Sequence, residues 1–323
     1  MTGNTMERFA MVSENSPGFE EAVIGWTAEM SDLQPVTSIV RLEGGWDNPI
    51  FRLFLEDGSS VVLKIWKGQE GIDGALDVLE RHKWLDEHGI STTVPIQFKD
   101  GSSCILNEGL GWTLMPFIPS GHLGSDESSL NSLGREMARM HRVPKSEFFP
   151  DRYRMGRSLF KEVLATENVH QKYGSFISLL GENAEFLLSG LPRDLPMGIL
   201  HGDLFPDNVL GESEVVAIID LEESFFGPCA FDLAMAFVGF GWEHGKPVAQ
   251  RWEALVEGYQ SIRALEEDEV SSLPDLHRYA TLAIACWRFW KHNLIAPDAE
   301  LGNRYEEMVD RLSVDFDFEA VFN

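Results

Sequence analysis

The chain has 323 residues, of which 44% are hydrophobic and 11% aromatic, a composition typical of a globular protein. Its 26 lysines and arginines stand against 52 aspartates and glutamates, which gives a formal net charge of −26. Nucleic acids and anionic membranes are bound mainly through contacts between phosphates and basic groups, so this charge argues against both as partners. If the protein acts on phosphate groups, the residues that bind them must therefore be confined to a small site.

Cysteine usage and the N-terminal residues favour a reduced compartment. Cys104, Cys229 and Cys286 are odd in number and widely spaced, so neither a disulfide framework nor a zinc site is predicted. The N-terminal stretch lacks the basic start, apolar run and cleavage site of a signal peptide, and no apolar run has the length of a transmembrane span. We therefore expect a cytoplasmic protein.

The first 115 residues predict a small sheet with helices. Asn15 or Ser16, followed by Pro17 and two glutamates, predicts a helix start, with the helix continuing to about Met30. Short runs rich in β-branched and aromatic residues, separated by glycine-containing turns, then predict an antiparallel meander. Its strands span residues 36–42, 50–55 and 61–66, followed by a helix over 72–87 and strands over 103–106 and 112–118.

Beyond Pro119 the chain is predicted to be mostly helical. Because a small sheet precedes this helical part, the predicted fold class is α+β. The predicted helices span residues 129–142, 157–166, 175–189, 231–239, 248–262 and 276–294. The acidic run 266–269 is predicted to be an exposed helix start without a function. The exception to the helical pattern lies between residues 199 and 220, where short apolar runs flank a polar cluster beside a predicted hairpin.

That cluster, "HGDLFPDNVL" at residues 201–210, contains residues suited to phosphoryl transfer. Asp203 and Asn208 have the spacing of the H-R-D-x-x-x-x-N loop, in which Asp is the base and Asn a metal ligand. Asp220 ends an apolar strand, where the metal-binding Asp of a D-F-G-like element belongs. Magnesium prefers oxygen ligands, so His201 is expected to brace the loop and not to bind metal.

A lysine interrupts the apolar strand of the first part of the chain. Lys64 in "VVLKI" matches the strand lysine that pairs with nucleotide phosphates, although a lysine at a sheet edge also extends to solvent without any function. Glu80 on the following helix is the first candidate to hold Lys64 in place. Asp73 and Asp77 lie on the same helical face and are alternatives.

The segments "ILHGDLFPDNVL" and "VVAIIDLEESFFGPCAFDLAMAF" resemble the core of the aminoglycoside phosphotransferase and choline kinase superfamily. These are small-molecule kinases with a protein-kinase-like fold. Within that fold, "HGDLFPDNVL" and the later "WRFWKHNL" resemble the homoserine kinases. The resemblance spans residues 36–294 and includes "TLMPFIPSGHL" as the link between lobes and "SLGREMARMHRVP" as the first large-lobe helix.

The resemblance implies a bilobal fold, with a small antiparallel-sheet N-lobe over residues 1–115, a hinge over 116–120 and a mainly helical C-lobe over 121–323. It implies ATP and Mg²⁺ as cofactors. Site residues follow by position: Asp203 as base, Asn208 and Asp220 as metal ligands, Lys64 on the phosphates, Gly44 and Gly45 covering them, and the backbone of Pro116, Phe117 and Ile118 against adenine. Asp232 supports the catalytic loop in this scheme, or alternatively caps its own helix.

The acceptor remains open at this stage. An amino alcohol such as homoserine is the first choice, whereas Glu222, two residues after Asp220, resembles the choline and aminoglycoside branches. Choline, sugar and aminoglycoside kinases are therefore rivals, and a non-catalytic pseudokinase is the rival outside enzymes. Trp242 and Arg288 are open candidates for a substrate pocket, while Trp287 and Trp290 have the spacing of core residues. The oligomeric state is not indicated.

Overall fold

The computed structural model describes residues 18–42, 48–107, 109–190 and 194–322. The chain divides into two compact units, Met1–Pro119 and Ser120–Asn323. The helix start predicted at Asn15–Pro17 and the predicted phosphate-covering Gly44 and Gly45 lie outside the described residues. Within the described residues, no helix is both long and apolar enough to cross a membrane.

The first unit is built on an antiparallel sheet with strand order β1-β2-β3-β5-β4. Its strands are β1 (Val36–Arg41), β2 (Ile50–Leu55), β3 (Ser60–Lys67), β4 (Ile105–Asn107) and β5 (Leu110–Pro116). Helices α1 (Phe19–Met30) and α2 (Gly68–Glu87) accompany the sheet. The predicted meander of β1, β2 and β3 is confirmed. Helix α2 begins directly after β3, without a capping side chain, so the sequence carried no signal for its early start.

Alternation along the strands creates the core of this unit. Every second residue of β2 and β3 is buried, as expected where one face of a strand packs and the other does not. Leu53, Leu63 and Leu114 are fully buried, and Trp26 of α1 packs against Trp112 with ring centroids 4.6 Å apart. Helix α1 therefore covers the buried face of the sheet.

The second unit is mainly helical. Its helices are α3 (Glu127–Met140), α4 (Leu159–Ala165), α5 (Val169–Gly190), α6 (Ala230–Phe240), α7 (Ala249–Gln260), α8 (Glu267–Phe289) and α9 (Arg304–Arg311). Short strands pair as β6 (Met197–Leu200) with β9 (Phe225–Pro228), β7 (Val209–Gly211) with β8 (Val215–Ile218), and β10 (Trp242–Glu243) with β11 (Lys246–Pro247). Helix α6 is apolar on nearly all sides and is accordingly buried.

Helix α8 differs from its prediction in two ways. It begins at Glu267 and not at residue 276. Pro274 lies inside it, although a proline usually breaks a helix and therefore favours a later start in the sequence. Glu266 and Glu269 form a capping box at its start. The prediction of an exposed acidic start is wrong for Glu269, which is fully buried and paired with Arg263.

Two glycines let helices α3 and α7 approach closely. A β-carbon at Gly134 would lie 2.2 Å from the carbonyl oxygen of Leu255, and one at Gly258 would lie 2.0 Å from that of Asn131. Both distances are far below van der Waals contact, so no other residue fits without separating the helices. The contact places the second half of α7 against residues 131–134 of α3.

Candidate active site

The predicted catalytic loop lies between two strand pairs of the second unit. Residues 201–208 connect β6 to β7, and residues 219–224 connect β8 to β9. Because β6 pairs with β9 and β7 pairs with β8, the two connections run side by side. The backbone N–H of Ile219 donates to the carbonyl of Asn208 at 2.9 Å, which ties one connection to the other.

Asp203 and Asn208 are in direct contact. The Asn208 Nδ2 donates to the Asp203 carbonyl oxygen at 2.8 Å and to its Oδ2 at 3.1 Å. A single 3₁₀ turn, Pro206–Asn208, brings them together, and Pro206 at its start has its φ already set for a turn. The five-residue spacing thus produces one local unit in which a carboxylate and an amide face each other.

His201 lies fully buried beneath this unit. Its Nδ1 accepts from the backbone N–H of Asp203 at 3.2 Å, and its Nε2 contacts the carbonyl oxygen of Ile219 at 2.9 Å. Nδ1 acts as an acceptor, so the proton is on Nε2 and donates to Ile219. Both ring nitrogens are therefore engaged in joining the two connections, which is the geometry of a brace.

Asp232, on the third residue of α6, holds the start of the loop from below. Its Oδ2 accepts from the backbone N–H of His201 at 2.6 Å and its Oδ1 from that of Gly202 at 2.9 Å. Its side chain is fully buried. The alternative that Asp232 caps its own helix is wrong, because Cys229 has the cap position and the carboxylate contacts the loop.

A chain of buried polar groups continues from Asp232. His141 Nε2 lies 3.3 Å from Asp232 Oδ2, and His141 Nδ1 lies 2.8 Å from the Tyr259 hydroxyl. Arg263 donates to the same hydroxyl at 3.1 Å and to both carboxylate oxygens of Glu269 at 3.0 Å. We call this chain, from Asp232 through His141, Tyr259 and Arg263 to Glu269, the support chain.

The charge of His141 follows from these neighbours. Burial by itself lowers the pKa of His141, but Tyr259, Cys229 and Asp232 together raise that pKa well above its usual value. An imidazolium beside the buried Asp232 carboxylate compensates its charge. The sequence alone predicted no role for any member of the support chain other than Asp232. The one available signal was His141 in "MHRVP", a polar residue at the end of an otherwise apolar helix face.

Carboxylates surround Asp203, which is itself half-buried. Burial, together with the charges of Glu223, Asp220 and Asp207, raises the pKa of Asp203 well above its usual value, and the hydrogen bond from Asn208 opposes the rise. Like charges close together disfavour the ionised form. A divalent cation bound at this position would reverse that effect, because it would be the largest local charge.

Asp220 and Glu222 lie in the second connection. Asp220 is exposed and has φ of 62° and ψ of 63°, in the left-handed region that Asp tolerates better than most residues. A 3₁₀ turn, Leu221–Glu223, follows and leaves Glu222 partly exposed. Glu223, which sequence reasoning did not single out, is buried and forms an ion pair with Arg154.

Lys64 lies on a central strand of the first unit. Strand β3 pairs with β2 on one side, where Lys64 is opposite Ile50, and with β5 on the other, where it is opposite Thr113. The sheet-edge alternative is therefore wrong. Its Nζ lies 4.5 Å from the centroid of the Trp66 ring. On α2, Glu80 contacts Lys83 at 2.6 Å, and the carboxylate that pairs with Lys64 stays a prediction among Glu80, Asp77 and Asp73.

The predicted adenine-binding backbone lies at the end of the first unit. Pro116 is the last residue of β5, and Phe117 and Ile118 follow it. The Phe117 N–H donates to the Ser60 carbonyl at 3.4 Å, and the Arg52 guanidinium lies 3.7 Å from the centroid of the Phe117 ring. The segment is thus an extension of the sheet with an anchored backbone.

The tryptophan and arginine candidates for a pocket have structural contacts. Trp242 is buried and stacks on His277, with the Arg311 guanidinium 5.0 Å from its ring centroid. Arg288 donates to Glu307 at 2.9 Å, which joins α8 to α9. Trp290 donates its ring N–H to Glu162 at 2.7 Å. Trp242 thus belongs to the core.

Comparison with known proteins shows the family of the chain. The model of the phosphotransferase enzyme family matches residues 38–265. Among curated relatives, the homoserine kinase of Sinorhizobium fredii is 28% identical over 279 residues, covering 84% of this chain and 84% of the relative. That of Rhizobium meliloti is 26% identical over 274 residues, covering 82% of each chain.

Solved structures show the same fold at low sequence identity. The amicoumacin kinase hAmiN, solved with AMP-PNP, Ca²⁺ and Ami, has a TM-score of 0.73 and 17% identity, covering 93% of this chain and 96% of that one. A microcompartment-associated aminopropanol kinase has a TM-score of 0.66 and 16% identity, covering 91% of this chain and 95% of that one. The predicted protein-kinase-like fold, with an antiparallel sheet followed by a helical part, is confirmed.

Proposed function

The chain belongs to the phosphotransferase enzyme family, and we propose that it transfers the γ-phosphoryl group of ATP to the hydroxyl of a small molecule, with homoserine the first acceptor to test. The observation that carries the proposal is the contact between Asp203 and Asn208 on a loop whose backbone is held by buried groups. Phosphoryl transfer depends on positioning and charge stabilisation, and such a loop provides fixed positions.

Asp203 is the proposed base. Its carboxylate orients the acceptor hydroxyl and takes its proton as the oxygen attacks phosphorus. His201 and Asp232 do not touch the acceptor in this scheme. They fix the backbone that leads into Asp203, so that the carboxylate does not need to reorganise during the reaction.

Asn208 and Asp220 are the proposed ligands of a divalent cation, Mg²⁺ in the first instance. The donor set fits, because amide and carboxylate oxygens are hard ligands and phosphates and waters complete the magnesium shell. Asn208 directs its nitrogen toward Asp203, which turns its amide oxygen to the opposite side. When bound, the metal would supply positive charge to the phosphates that ATP presents.

The first unit is the proposed nucleotide-binding lobe. Lys64 would pair with the phosphates, held by one of the carboxylates of α2, and residues Pro116–Ile118 would present backbone groups to adenine. Gly44 and Gly45 would cover the phosphates through their amides. An Arg or Lys on transferring phosphates stabilises charge without taking part in proton transfer.

Homoserine is the preferred acceptor for one reason. The curated relatives named above, which are similar to this chain over more than four fifths of its length, carry that activity in their names. Choline, a sugar or an aminoglycoside would use the same machinery, because fold does not determine the acceptor. Glu222 beside Asp220 is the feature that keeps those acceptors in the panel.

The test is a coupled ADP-release assay of the purified chain with ATP and Mg²⁺ against homoserine, choline, aminopropanols, sugars and aminoglycosides. We expect turnover with at least one acceptor. Asp203→Asn is expected to lower kcat by about 10²- to 10⁴-fold while leaving ATP binding intact, the range for loss of a positioned base. Asp207→Asn is the matched control, since Asp207 is an exposed carboxylate of the same loop.

Two results would contradict the proposal. Near-normal turnover of the Asp203→Asn variant would remove Asp203 from its role as base. Tight ATP binding by the unmodified chain without ADP release on any acceptor would favour the non-catalytic alternative.

A further inference from the structure

Arg52 lies on the face of the first unit's sheet that carries Lys64. Along β2, Arg52 and Phe54 alternate with the buried Leu53, so they lie on the face opposite to the core. The register pairs Ile50 of β2 with Lys64 of β3, and residues directly opposite each other share a face. Arg52 is therefore one row along the sheet from the proposed phosphate-binding lysine. The roles proposed above assign nothing to it.

The Arg52 guanidinium is held by aromatic rings. Its Cζ lies 4.3 Å from the centroid of the Phe54 ring and 3.7 Å from that of the Phe117 ring. Its Nε is buried and has no hydrogen-bond partner among the residues that the structure describes. A buried donor without a partner is unfavourable, whereas the delocalised plane of a guanidinium stacks well on aromatic faces. The two ring contacts therefore determine where this side chain lies.

Phe117 connects these contacts to the proposed nucleotide site. It is the middle residue of the segment 116–118, whose backbone groups are the proposed contacts of adenine. The Phe117 N–H donates to the Ser60 carbonyl at 3.4 Å, which is longer than most hydrogen bonds of this type, so this bond alone holds the segment weakly. The contact of its ring with Arg52 is a second attachment. The backbone and the ring of Phe117 are thus attached to neighbouring strands, β3 and β2.

Recognition of a base by backbone groups requires those groups to stay in place. Adenine presents an amino donor at the position where guanine presents a carbonyl acceptor, so fixed donors and acceptors distinguish the two. A base with the reversed pattern leaves polar groups of the site unpaired and is rejected. A segment that moves adjusts to either base, and ordering it during binding lowers the affinity. A residue that fixes this segment therefore affects both the affinity for ATP and the preference for adenine.

Resting on the proposed function, we infer that Arg52 is a positioning residue that sets the nucleobase specificity of the enzyme. Through the ring of Phe117 it fixes the backbone of residues 116–118 against adenine, and it does not bind the phosphates. The plane of the guanidinium matters more than its charge in this role, because the plane is what stacks on the ring. The base and the phosphates are thus recognised from different rows of one sheet.

The experiment measures nucleotide binding directly. Displacement of the fluorescent nucleotide mant-ADP, with Mg²⁺ and without an acceptor, gives the Kd of ATP, of GTP and of tripolyphosphate, which has the phosphates but no base. The unmodified chain is compared with Arg52→Met, Arg52→Lys and Lys99→Met. Lys99→Met is the matched control, because it removes one positive charge from the same unit. Lys99 is exposed and donates to backbone carbonyls of α1, the helix on the other face of the sheet.

The expected pattern depends on which part of the nucleotide is present. Arg52→Met should raise the Kd of ATP by about 5- to 30-fold, the range for losing one or two cation–π contacts. The Kd of GTP should rise less, so the preference for ATP becomes smaller. The Kd of tripolyphosphate should stay the same, which also shows that the variant is folded. Arg52→Lys keeps the charge without the plane and should behave like Arg52→Met, whereas Lys99→Met should match the unmodified chain.

A second variant tests the contact from its other side. Phe117→Leu removes the ring and keeps the backbone of the segment, so it should give the same pattern as Arg52→Met. The two substitutions act through one contact, and combining them should therefore raise the Kd of ATP little beyond either one alone. Full additivity of the two effects would show that Arg52 does not act through Phe117.

Four results would overturn the inference while leaving the kinase function intact. An equal rise in the Kd of ATP and of tripolyphosphate makes Arg52 a phosphate contact, and full recovery by Arg52→Lys makes its charge the relevant property. An equal rise for ATP and GTP removes its role in specificity. Unchanged binding of all three by Arg52→Met limits Arg52 to the stability of the sheet. Failure of the unmodified chain to bind ATP would instead overturn the proposed function, and the inference with it.

Discussion

The two faces of the catalytic loop treat carboxylates in opposite ways. Below the loop, Asp232 accepts from two backbone amides and faces His141, and Glu269 is paired with Arg263. On the outer face, burial and then the charges of nearby carboxylates raise the pKa of Asp203. Carboxylates within the support chain are thus compensated by the protein itself.

This difference separates stability from reactivity. A buried charge that is paired and hydrogen-bonded is costly to disturb, because removing one partner leaves the other uncompensated. Carboxylates that lie close to one another lower the stability in the absence of a ligand, and a bound cation compensates their charges. We therefore expect substitutions on the outer face to affect turnover and those in the support chain to affect folding.

Asp203→Asn should give the largest effect, and only on turnover. The expected loss in kcat is about 10²- to 10⁴-fold. The free energy of unfolding, measured with urea in the absence of metal and nucleotide, should not decrease. The reason is that a raised pKa in the folded state means that the folded protein disfavours the ionised carboxylate at neutral pH. A large loss of stability in this variant would show that the two faces do not differ.

Asp232→Ala, unlike Asp203→Asn, should lower stability. It leaves the N–H groups of His201 and Gly202 and the His141 ring without their buried acceptor, so the free energy of unfolding should fall by about 3–5 kcal/mol. Urea unfolding followed by circular dichroism measures it. Asp207→Asn, an exposed carboxylate in the loop, should change it little, and a similar loss in both variants would contradict the comparison.

Tyr259→Phe tests the middle of the support chain. It removes the hydroxyl shared by His141 and Arg263 but keeps the ring, so the free energy of unfolding should fall by about 1–2 kcal/mol. Turnover should fall less than in Asp203→Asn, since three hydrogen bonds separate Tyr259 from the loop. An unchanged midpoint in urea would show that the chain of contacts does not extend past His141.

Asp126→Ala, at the start of α3, should give the smallest effect. The Asp126 carboxylate caps the helix by accepting from the Ser129 N–H at 3.2 Å, and loss of such a cap costs about 1 kcal/mol. Hydrogen bonds from the Ser129 and Ser128 side chains lower the pKa of Asp126 to about 2, below an unfolded value of about 3.9. The stabilisation is thus present above pH 4 and is lost as the pH falls toward 2.

Unfolding measured across that pH range checks this last prediction. The difference between the unmodified chain and Asp126→Ala should shrink steadily on acidification. A difference that stays constant down to pH 2 would contradict it.

Local patterns predicted much of the fold and the loop. The alternation of β2 and β3 and the five-residue spacing of Asp203 and Asn208 are short-range features, and the structure reproduces both. The early start of α8 was missed because Pro274 inside a helix violates a local rule that tertiary packing overrides here. The burial of Glu269 was missed because its partner, Arg263, lies before the helix start, where helical spacing does not link the two residues.

The partners of Asp232 in the support chain could not be predicted from the sequence. His141 follows the end of α3, whereas Tyr259 and Asp232 lie in α7 and α6, and no spacing in the sequence indicates that the three meet. Arg154 and Glu223 are likewise 69 positions apart. Charge and burial become meaningful for such residues only once the fold has brought them together.

The close contact of Gly134 with α7 and of Gly258 with α3 has a consequence for how this sequence can diverge. Tyr259 follows Gly258 directly, and His141 follows the end of α3, so the helix separation sets the length of their hydrogen bond. Every single-nucleotide change in a glycine codon that alters the residue adds a β-carbon. No point mutation at either glycine is therefore conservative. We expect homologous sequences to vary around these two positions while both glycines are kept.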